Sequence, residues 1–274
     1  MAWINFYPFW KRNEPINAWE KALILLRFAV FIQCLGFFFT TKTGTSIEGL
    51  LFMEYRLPQA QAKSIELWAG YTFLILGVAQ LLWISPIIWF SLVIETFLLA
   101  WIIRQHGGNP FSDLAVLAYA VRYLTPLGLI FLLWSKKHFH NIGFWILILG
   151  LSITFITHGY EAISLHPVFL DYLITSAKNI LNWNLQESTA SNILRIIGFI
   201  DILMALLLVI TRNKYILIWL AIWGFLTAFS RITELGWGMY PEVLVRVAHF
   251  CVPLALLLFK KVKKLDPLQY NILS

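Results

Sequence analysis

The chain has 274 residues, of which 59% are hydrophobic and 13% are charged, and its mean hydropathy is +0.74. Soluble globular chains carry about 25% charged residues, so this composition excludes a soluble domain and predicts an integral membrane protein. At about 20 apolar residues per membrane-spanning helix, the chain accommodates about eight spans. A net charge of +7 would favour nucleic acid in a soluble chain, but in a membrane protein basic residues first report topology. We therefore expect the lipid bilayer as a partner and no nucleic acid.

Eight apolar stretches have the length that a membrane-spanning helix requires, which predicts an all-α fold. They cover residues 21 to 40, 65 to 84, 87 to 104, 114 to 134, 142 to 159, 193 to 211, 215 to 233 and 242 to 259. This division predicts a cytoplasmic or interfacial segment (1–20), two four-helix units (21–135 and 136–260) and a basic cytoplasmic tail (261–274).

Basic residues concentrate before or at the start of the first predicted span and after the fourth, sixth and eighth spans. They are Lys11, Arg12, Lys21, Lys136, Lys137, Arg212, Lys214, Lys260, Lys261, Lys263 and Lys264. By the positive-inside bias, both termini lie in the cytoplasm. The two longest connections, 41–64 and 160–192, then lie outside, and both contain apolar and aromatic residues. We expect a short interfacial helix in each, lying on the membrane or folded over the bundle; an ordinary surface loop is the alternative.

The two halves of the chain show an internal similarity. Residues 102–129 align without a gap on residues 229–256, with Arg104 on Arg231 and Pro126 on Pro253. Each half has four predicted spans, so both enter the membrane in the same direction. The pattern predicts two parallel four-helix repeats related by a pseudo-twofold axis along the membrane normal.

Ionisable side chains inside spans are functional candidates, because burying them in lipid is unfavourable. At 1.5 Å per residue, Arg122, Asp201 and His249 lie about 10 to 12 Å below the outer surface, and Arg246 shares a helical face with His249. We expect a shared internal pocket with the ion pairs Glu95 to Arg122 and Asp201 to Arg246 or His249. The alternative is that these pairs only specify helix packing.

A second polar set gathers where the fifth and seventh predicted spans end. The acid–base candidates are His158, Glu161, Glu234 and His249, and the candidate ligands for zinc, iron or manganese are His158, Glu161, His166 and Glu234. His166 lies beyond the expected helix end, just before Pro167. The alternative is therefore a capped helix end. In that case the glycines at positions 159 and 236 let the chain turn.

Arginines at the outer level suggest capture of an anion, a carboxylate or a lipid head group. Arg104, Arg231 and Arg246 form this set, and ordinary interfacial anchoring is the alternative. Arg104 and His106, at the end of the third predicted span, also adjoin the outer set of His and Glu residues. We expect no haem, because the chain lacks a Cys-x-x-Cys-His motif and a second deep histidine beside His249. Gly-rich phosphate loops and dinucleotide motifs are also absent.

The segments LLRFAVFIQCLGFFFTTKTG and ITFITHGYEAISLHP, with the repeated Arg and Pro positions, resemble the DoxX-like membrane protein superfamily, here duplicated over most of residues 21–260. The resemblance implies a bacterial inner membrane protein with a link to quinone or thiol redox chemistry. It assigns no catalytic residues to this chain. The eight-span count and the outer His and Glu residues are also similar, less closely, to the membrane part of carboxylase-like proteins.

Three functions follow from these observations. The first is an accessory subunit of a membrane redox complex, which holds a quinone or lipid between the two repeats and associates with other membrane subunits. The second is a membrane enzyme that uses the outer His and Glu residues on a lipophilic substrate. The third is a small-solute transporter, for which Arg122, Asp201 and Glu95 are suitable. The sequence leaves open whether the protein is an enzyme.

Overall fold

The computed structural model describes residues 16–43, 46–105, 110–134 and 136–265. Within these ranges the chain forms α-helices and short 3-10 turns, with no β-strand. The helices are α1 (Ala18–Thr43), α2 (Ser46–Met53), α3 (Gln59–Leu82), α4 (Pro86–Gln105), α5 (Ala115–Ala118), α6 (Ala120–Leu132), α7 (Lys137–Ile163), α8 (Pro167–Leu181), α9 (Glu187–Thr211), α10 (Lys214–Leu235), α11 (Tyr240–Leu244) and α12 (Ala248–Leu265).

Long apolar helices dominate the described residues. Seven segments are long and apolar enough to cross a membrane, and the pair Trp237–Leu244 and Ala248–Lys260, bent by 48°, makes an eighth if it is one span. A helix satisfies its own backbone hydrogen bonds, which is what lipid demands of a spanning segment. Large apolar side chains face outward, for example Ile87 at 75% and Ile210 at 72% exposure, as expected of a surface that contacts lipid. The predicted all-α membrane architecture is confirmed.

Both long connections contain a short helix, as predicted. α2 packs against α3 and α4, whereas α8 packs against α9 and α10. Each therefore folds over helices of its own half of the bundle.

The helix pairings of the two halves correspond. α1 packs on α3 and α12, and α7 packs on α9 and α6; likewise α4 packs on α6, and α10 on α12. The aligned windows also share a local shape, in which a 3-10 turn (Ser112–Leu114 or Trp237–Met239) precedes a short helix and then a helix that contains a proline (Pro126 or Pro253). The pairings are those that a twofold repeat would produce, and the duplication itself stays a prediction.

The start of the first helix and the end of the last lie at one end of the bundle. The rings of Trp19 in α1 and Phe259 in α12 are 4.7 Å apart. Lys260 Nζ also donates to the carbonyl of Arg212, 2.7 Å away, at the end of α9. We call this the basic end, and the opposite end, which carries α2 and α8, the loop end.

Glycines allow α7 and α9 to cross closely. A Cβ added at Gly159 would lie 2.6 Å from the Gly198 carbonyl oxygen, and one added at Gly198 would lie 2.4 Å from the Gly159 carbonyl oxygen. Gly159 is therefore a packing residue inside α7 and does not provide a turn, which corrects the prediction. Gly236 does end α10, with a φ of +85° that favours glycine.

Candidate functional site

A cavity of about 200 Å³ lies near the loop end, enclosed by α7, α8, α9, α10 and the break before α12. Its apolar wall includes Phe155, Phe169, Leu173, Leu194, Ile197 and Leu226. Its polar wall includes His158, Asp201, Trp223, Thr227, Arg231, Arg246 and His249. All of these residues belong to the second half of the chain. The cavity thus lies in the second half of the chain, whereas the sequence predicts a pocket between the two halves.

Three arginines converge beside this cavity. Arg231 and Arg246 line it, and Arg122 lies within electrostatic range of both. Arg122 is 2% exposed and Arg231 is 6% exposed. Each stacks on a tyrosine: the guanidinium of Arg122 is 3.9 Å from the Tyr119 ring centroid, and that of Arg231 is 4.6 Å from the Tyr172 ring centroid. These cation–π contacts orient the guanidinium groups without neutralising them.

The arginines carry more positive charge than the nearby carboxylates offset. Among the described residues, the carboxylate of Glu242 is the one that acts most strongly on all three. It forms an ion pair with Arg246, four residues further along the chain. The Nε atoms of Arg122, Arg231 and Arg246 are buried and have no hydrogen-bond partner among the described residues. A buried donor without a partner is unfavourable, so this cluster is suited to an anion that supplies acceptor oxygens.

Two histidines form the adjoining wall. Nδ1 of His158 lies 2.7 Å from Oε2 of Glu161, one turn further along α7. The rings of His158 and His249 stack at 5.9 Å with an interplanar angle of 22°. A carboxylate can only accept, so Nδ1 of His158 is the donor in this hydrogen bond, and Nε2 is the remaining ring nitrogen.

Backbone packing holds His249 in place. A Cβ added at Gly224 in α10 would lie 2.7 Å from the His249 carbonyl oxygen, so α10 and α12 touch at this level. Nδ1 of His249 lies 3.0 Å from the carbonyl oxygen of Arg246. This carbonyl can only accept, so Nδ1 donates, and the neutral ring presents Nε2 as an acceptor. Nε2 is buried without a partner among the described residues.

Helix α8 forms one wall of the cavity. Phe169, Leu173 and Ser176 of this helix line it. Ser176 Oγ lies 2.6 Å from Oγ1 of Thr233, and Asn179 Nδ2 donates to the carbonyl of Thr233 at 2.7 Å. These two hydrogen bonds attach α8 to the end of α10, and we call them the α8 latch.

The predicted ion pairs are not formed among the described residues. Glu95 bonds to the hydroxyl of Thr72 across α3 and α4, so it does not meet Arg122. Arg246 pairs with Glu242 and not with Asp201. Asp201 shares the cavity with Arg246 and His249, but its Oδ1 has no hydrogen-bond partner in the described chain. Asp201, Arg246 and His249 do lie at related depths, but depth does not predict which side chains face one another.

The four weak metal candidates do not come together. Residues 16–43, 46–105, 110–134 and 136–265 contain no group of three or more His, Cys, Asp or Glu side chains placed to hold a metal ion. His166 caps α8, since its Nδ1 accepts from the Val168 amide at 3.2 Å. Burial lowers the pKa of His166; the charge of Glu161 raises this pKa by less, and His158 lowers it further. The predicted helix cap is therefore present, although it belongs to α8.

Two further predicted residues lie away from the cavity. Glu234 does not line it, and the charges that act on its carboxylate are those of Asp171 and Arg231. Arg104 is exposed and stacks on Trp101 at 5.3 Å, so it does not join its sequence counterpart Arg231. His106 lies outside the described residues.

Several residues that line the cavity or contact its arginines were not predicted from the sequence. Glu242 precedes Arg246 by four residues, a spacing that indicates an ion pair on one helical turn and could have revealed it. Tyr119, Tyr172 and Trp223 had no such signal, because aromatic residues are common throughout the chain.

Comparison with protein-family models, curated proteins and solved structures finds no match to this chain. The DoxX-like resemblance therefore stays a prediction. The cavity is interpreted from its own chemistry.

Proposed function

We propose that the protein is a membrane-embedded binding protein for an amphiphilic anion. Its carboxylate or phosphate head group would bind Arg231 and Arg246, and its apolar part would occupy the wall formed by α7, α8 and α9. The observation that carries the proposal is the combination of guanidinium groups whose Nε atoms are buried and unpaired among the described residues with a largely apolar cavity. Guanidinium groups bind carboxylate and phosphate oxygens through paired, charge-assisted hydrogen bonds.

The charge of the cavity favours an anionic lipid over a quinone. A quinone offers two neutral carbonyl acceptors, and a single donor at each would suffice. Three arginines with one shared carboxylate supply positive charge that a neutral ring does not use. The accessory role in a redox complex remains a proposal that depends on the resemblance alone.

The neutral His249 ring further limits the chemical class of the ligand. With Nδ1 bonded to a carbonyl, Nε2 is left as an acceptor beside the arginines. A ligand that carries a hydroxyl next to its anionic group would satisfy the arginine donors and this acceptor together. Hydroxylated or monoprotonated head groups, such as a phosphate monoester, fit this requirement.

We place the cavity on the extracytoplasmic side of a bacterial inner membrane. The basic end, with Lys136, Arg212 and Lys260, would face the cytoplasm by the positive-inside bias. The cavity is near the opposite end, so it would receive its ligand from the outer leaflet or the periplasm. Partner subunits would bind the exposed outer faces of the bundle.

Native mass spectrometry of gently purified protein, combined with titration of oleate and lysophosphatidic acid into delipidated protein, tests the proposal. The variant Arg231→Gln with Arg246→Gln should lose both anions, whereas Arg104→Gln, an exposed arginine at the matched repeat position, should bind as the wild type does. Retained binding in the double variant, or a co-purified neutral quinone in its place, would overturn the proposal. Thermal unfolding confirms that each variant is folded; if the double variant is not, the single variant Arg231→Lys takes its place.

A membrane enzyme is the second candidate, favoured by the 2.7 Å contact between His158 Nδ1 and Glu161 Oε2 on the cavity wall. A carboxylate that orients an imidazole leaves the other ring nitrogen as a general base. The bound anion would then be a substrate. Conversion of a bound amphiphile by the wild type but not by His158→Gln would favour this function over simple binding.

A further inference from the structure

A second cavity lies at the basic end of the same half, between α7, α9, α10 and α12, with a volume of about 260 Å³. Its floor is apolar and includes Leu208, Leu256 and Phe259, each less than 7% exposed. Ile148 of this cavity and Phe155 of the first are seven residues apart on α7, about 10 Å along the helix axis. The two cavities are therefore separate sites.

Two cationic side chains lie on the rim of the second cavity. They are Arg212, at the end of α9, and Lys260, near the end of α12. The Lys260 ammonium group donates to the Arg212 carbonyl at 2.7 Å, which keeps both residues at the same edge. The Arg212 guanidinium lies 5.5 Å from the Trp145 ring centroid, so an aromatic ring supports it. Tryptophan and basic residues are the side chains that anchor helices at the level of lipid head groups.

We infer that this cleft binds an anionic phospholipid of the surrounding bilayer. One acyl chain would lie on the apolar floor, and the phosphate would contact Arg212 and Lys260. The cleft opens between helices that are long and apolar enough to span the membrane, so lipid is the molecule that reaches it. Basic pockets between membrane helices are suited to phosphate head groups, because charge and burial of the acyl chain act together. A water-soluble phosphate would use only the rim and would leave the apolar floor uncovered.

Charge complementarity specifies an anionic head group. Among the described residues that line the cleft, Arg212 and Lys260 are the charged ones, and both are cationic. Phosphatidylglycerol has one net negative charge, whereas phosphatidylcholine has none, so the rim should discriminate between them. This inference does not depend on the ligand proposed for the first cavity.

The backbone of Arg212 determines the choice of test variant. Arg212 has a φ of 50°, in the left-handed region, where asparagine is among the best tolerated residues. Arg212→Asn with Lys260→Gln removes both charges and keeps this backbone conformation. Lys214→Gln removes one charge from an exposed neighbour that does not line the cleft, and it is the matched control.

The experiment is native mass spectrometry of delipidated protein titrated with phosphatidylglycerol or phosphatidylcholine. The wild type and Lys214→Gln should bind one phosphatidylglycerol in preference to phosphatidylcholine, and should still do so when Arg231→Gln and Arg246→Gln are present, so that this lipid does not occupy the first cavity. Arg212→Asn with Lys260→Gln should weaken the binding of this lipid at least about tenfold. Equal affinity in the double variant, or equal binding of the two lipids, would overturn the inference. So would displacement by glycerol phosphate, which would identify a site for a soluble anion.

Two controls keep the test decisive. If the double variant does not fold, Lys260→Gln alone changes an exposed side chain and should still weaken phosphatidylglycerol binding measurably. The variant Arg231→Gln with Arg246→Gln should bind phosphatidylglycerol in this cleft as the wild type does. The two double variants therefore distinguish loss of anion binding in the first cavity from loss of phosphatidylglycerol binding in the second.

Discussion

His158 and Glu161 form a hydrogen-bonded pair on one face of α7, with Nδ1 2.7 Å from Oε2, and only His158 of the two lines the cavity. Glu161 is 6% exposed, so it acts on the cavity through the imidazole. The pair therefore sets the orientation of the histidine ring and the position of its proton.

Removal of the Glu161 carboxylate should free the imidazole ring of His158 to rotate. We expect Glu161→Ala to shift the ¹⁵N resonances of His158, because Nδ1–H loses its acceptor. The same change should lower the free energy of unfolding by roughly 1.5 to 3 kcal/mol, the range for hydrogen bonds to charged groups. Histidine-labelled protein in detergent micelles gives the resonances, and His158→Gln assigns them. Glu234→Ala is the control, and a wild-type spectrum from Glu161→Ala would show that the pair does not exist in solution.

Glu242 and Arg246 should have opposite effects on anion binding. Glu242→Gln removes the negative charge that acts most strongly on the three arginines while keeping an acceptor for Arg246, so we expect oleate to bind roughly three- to tenfold more tightly. Arg246→Gln should weaken binding by a similar factor or more. Calorimetric titration of delipidated protein measures both changes.

The control for this pair is Glu187→Gln, which makes the same change in net charge at an exposed position at the start of α9. It should leave oleate affinity unchanged. If Glu242→Gln weakened binding, the electrostatic account of the cavity would be wrong.

The apolar runs of the sequence were sufficient to predict the spans, because a helix must cover the thickness of a bilayer. The counting of residues along each span also placed Arg246, Asp201 and His249 at related depths, and they do share a cavity. The depth of a residue in the membrane does not specify the side of its helix on which it lies. Depth alone therefore predicts an ion pair between Glu95 and Arg122, whereas Glu95 bonds to Thr72.

Long-range contacts account for what the sequence could not predict. The cavity depends on α8 folding back onto α10, and its attachment uses Thr233, whose separation from Ser176 in the chain is 57 residues. Two hydroxyl side chains that far apart carry no periodic signal. The role of Gly159 could not be predicted for the same reason, because it depends on the close approach of Gly198 in another helix.

The α8 latch should control access to the cavity. Ser176→Ala with Asn179→Ala removes both hydrogen bonds to Thr233, and two neutral bonds of about 0.5 to 1.5 kcal/mol each correspond to local opening that is roughly five- to 150-fold more frequent. Hydrogen exchange of the α8 amides measures this opening. Lys178→Ala, an exposed change on the same helix, should exchange at the wild-type rate. Unchanged protection in the double variant would mean that apolar packing alone retains α8.

The crossing of α7 and α9 should not tolerate an added methyl group. At Gly159, a Cβ would approach the Gly198 carbonyl oxygen to 2.6 Å, so Gly159→Ala must separate the helices and should lower the free energy of unfolding by roughly 1 to 3 kcal/mol. At Gly238, a Cβ would meet nothing within 4 Å, which makes Gly238→Ala the control. Unfolding in detergent compares the two variants, and equal stability would refute the close crossing.

His166 should make the stability of the loop end depend on pH. It lies between the membrane-spanning helices α7 and α9, and burial lowers its pKa from the ordinary value of 6.5. The unfolded chain therefore binds a proton before the folded chain does, so stability is full above about pH 6.5 and falls as the pH drops below it. The loss of stability is complete below the pKa of the folded state.

Protonation of Nδ1 of His166 would also remove the acceptor for the Val168 amide that caps α8. The variant His166→Asn keeps a good capping side chain without the titration. Thermal unfolding between pH 5 and pH 7.5 should show a midpoint that falls on acidification in the wild type more than in His166→Asn; parallel curves for the two proteins would contradict the prediction.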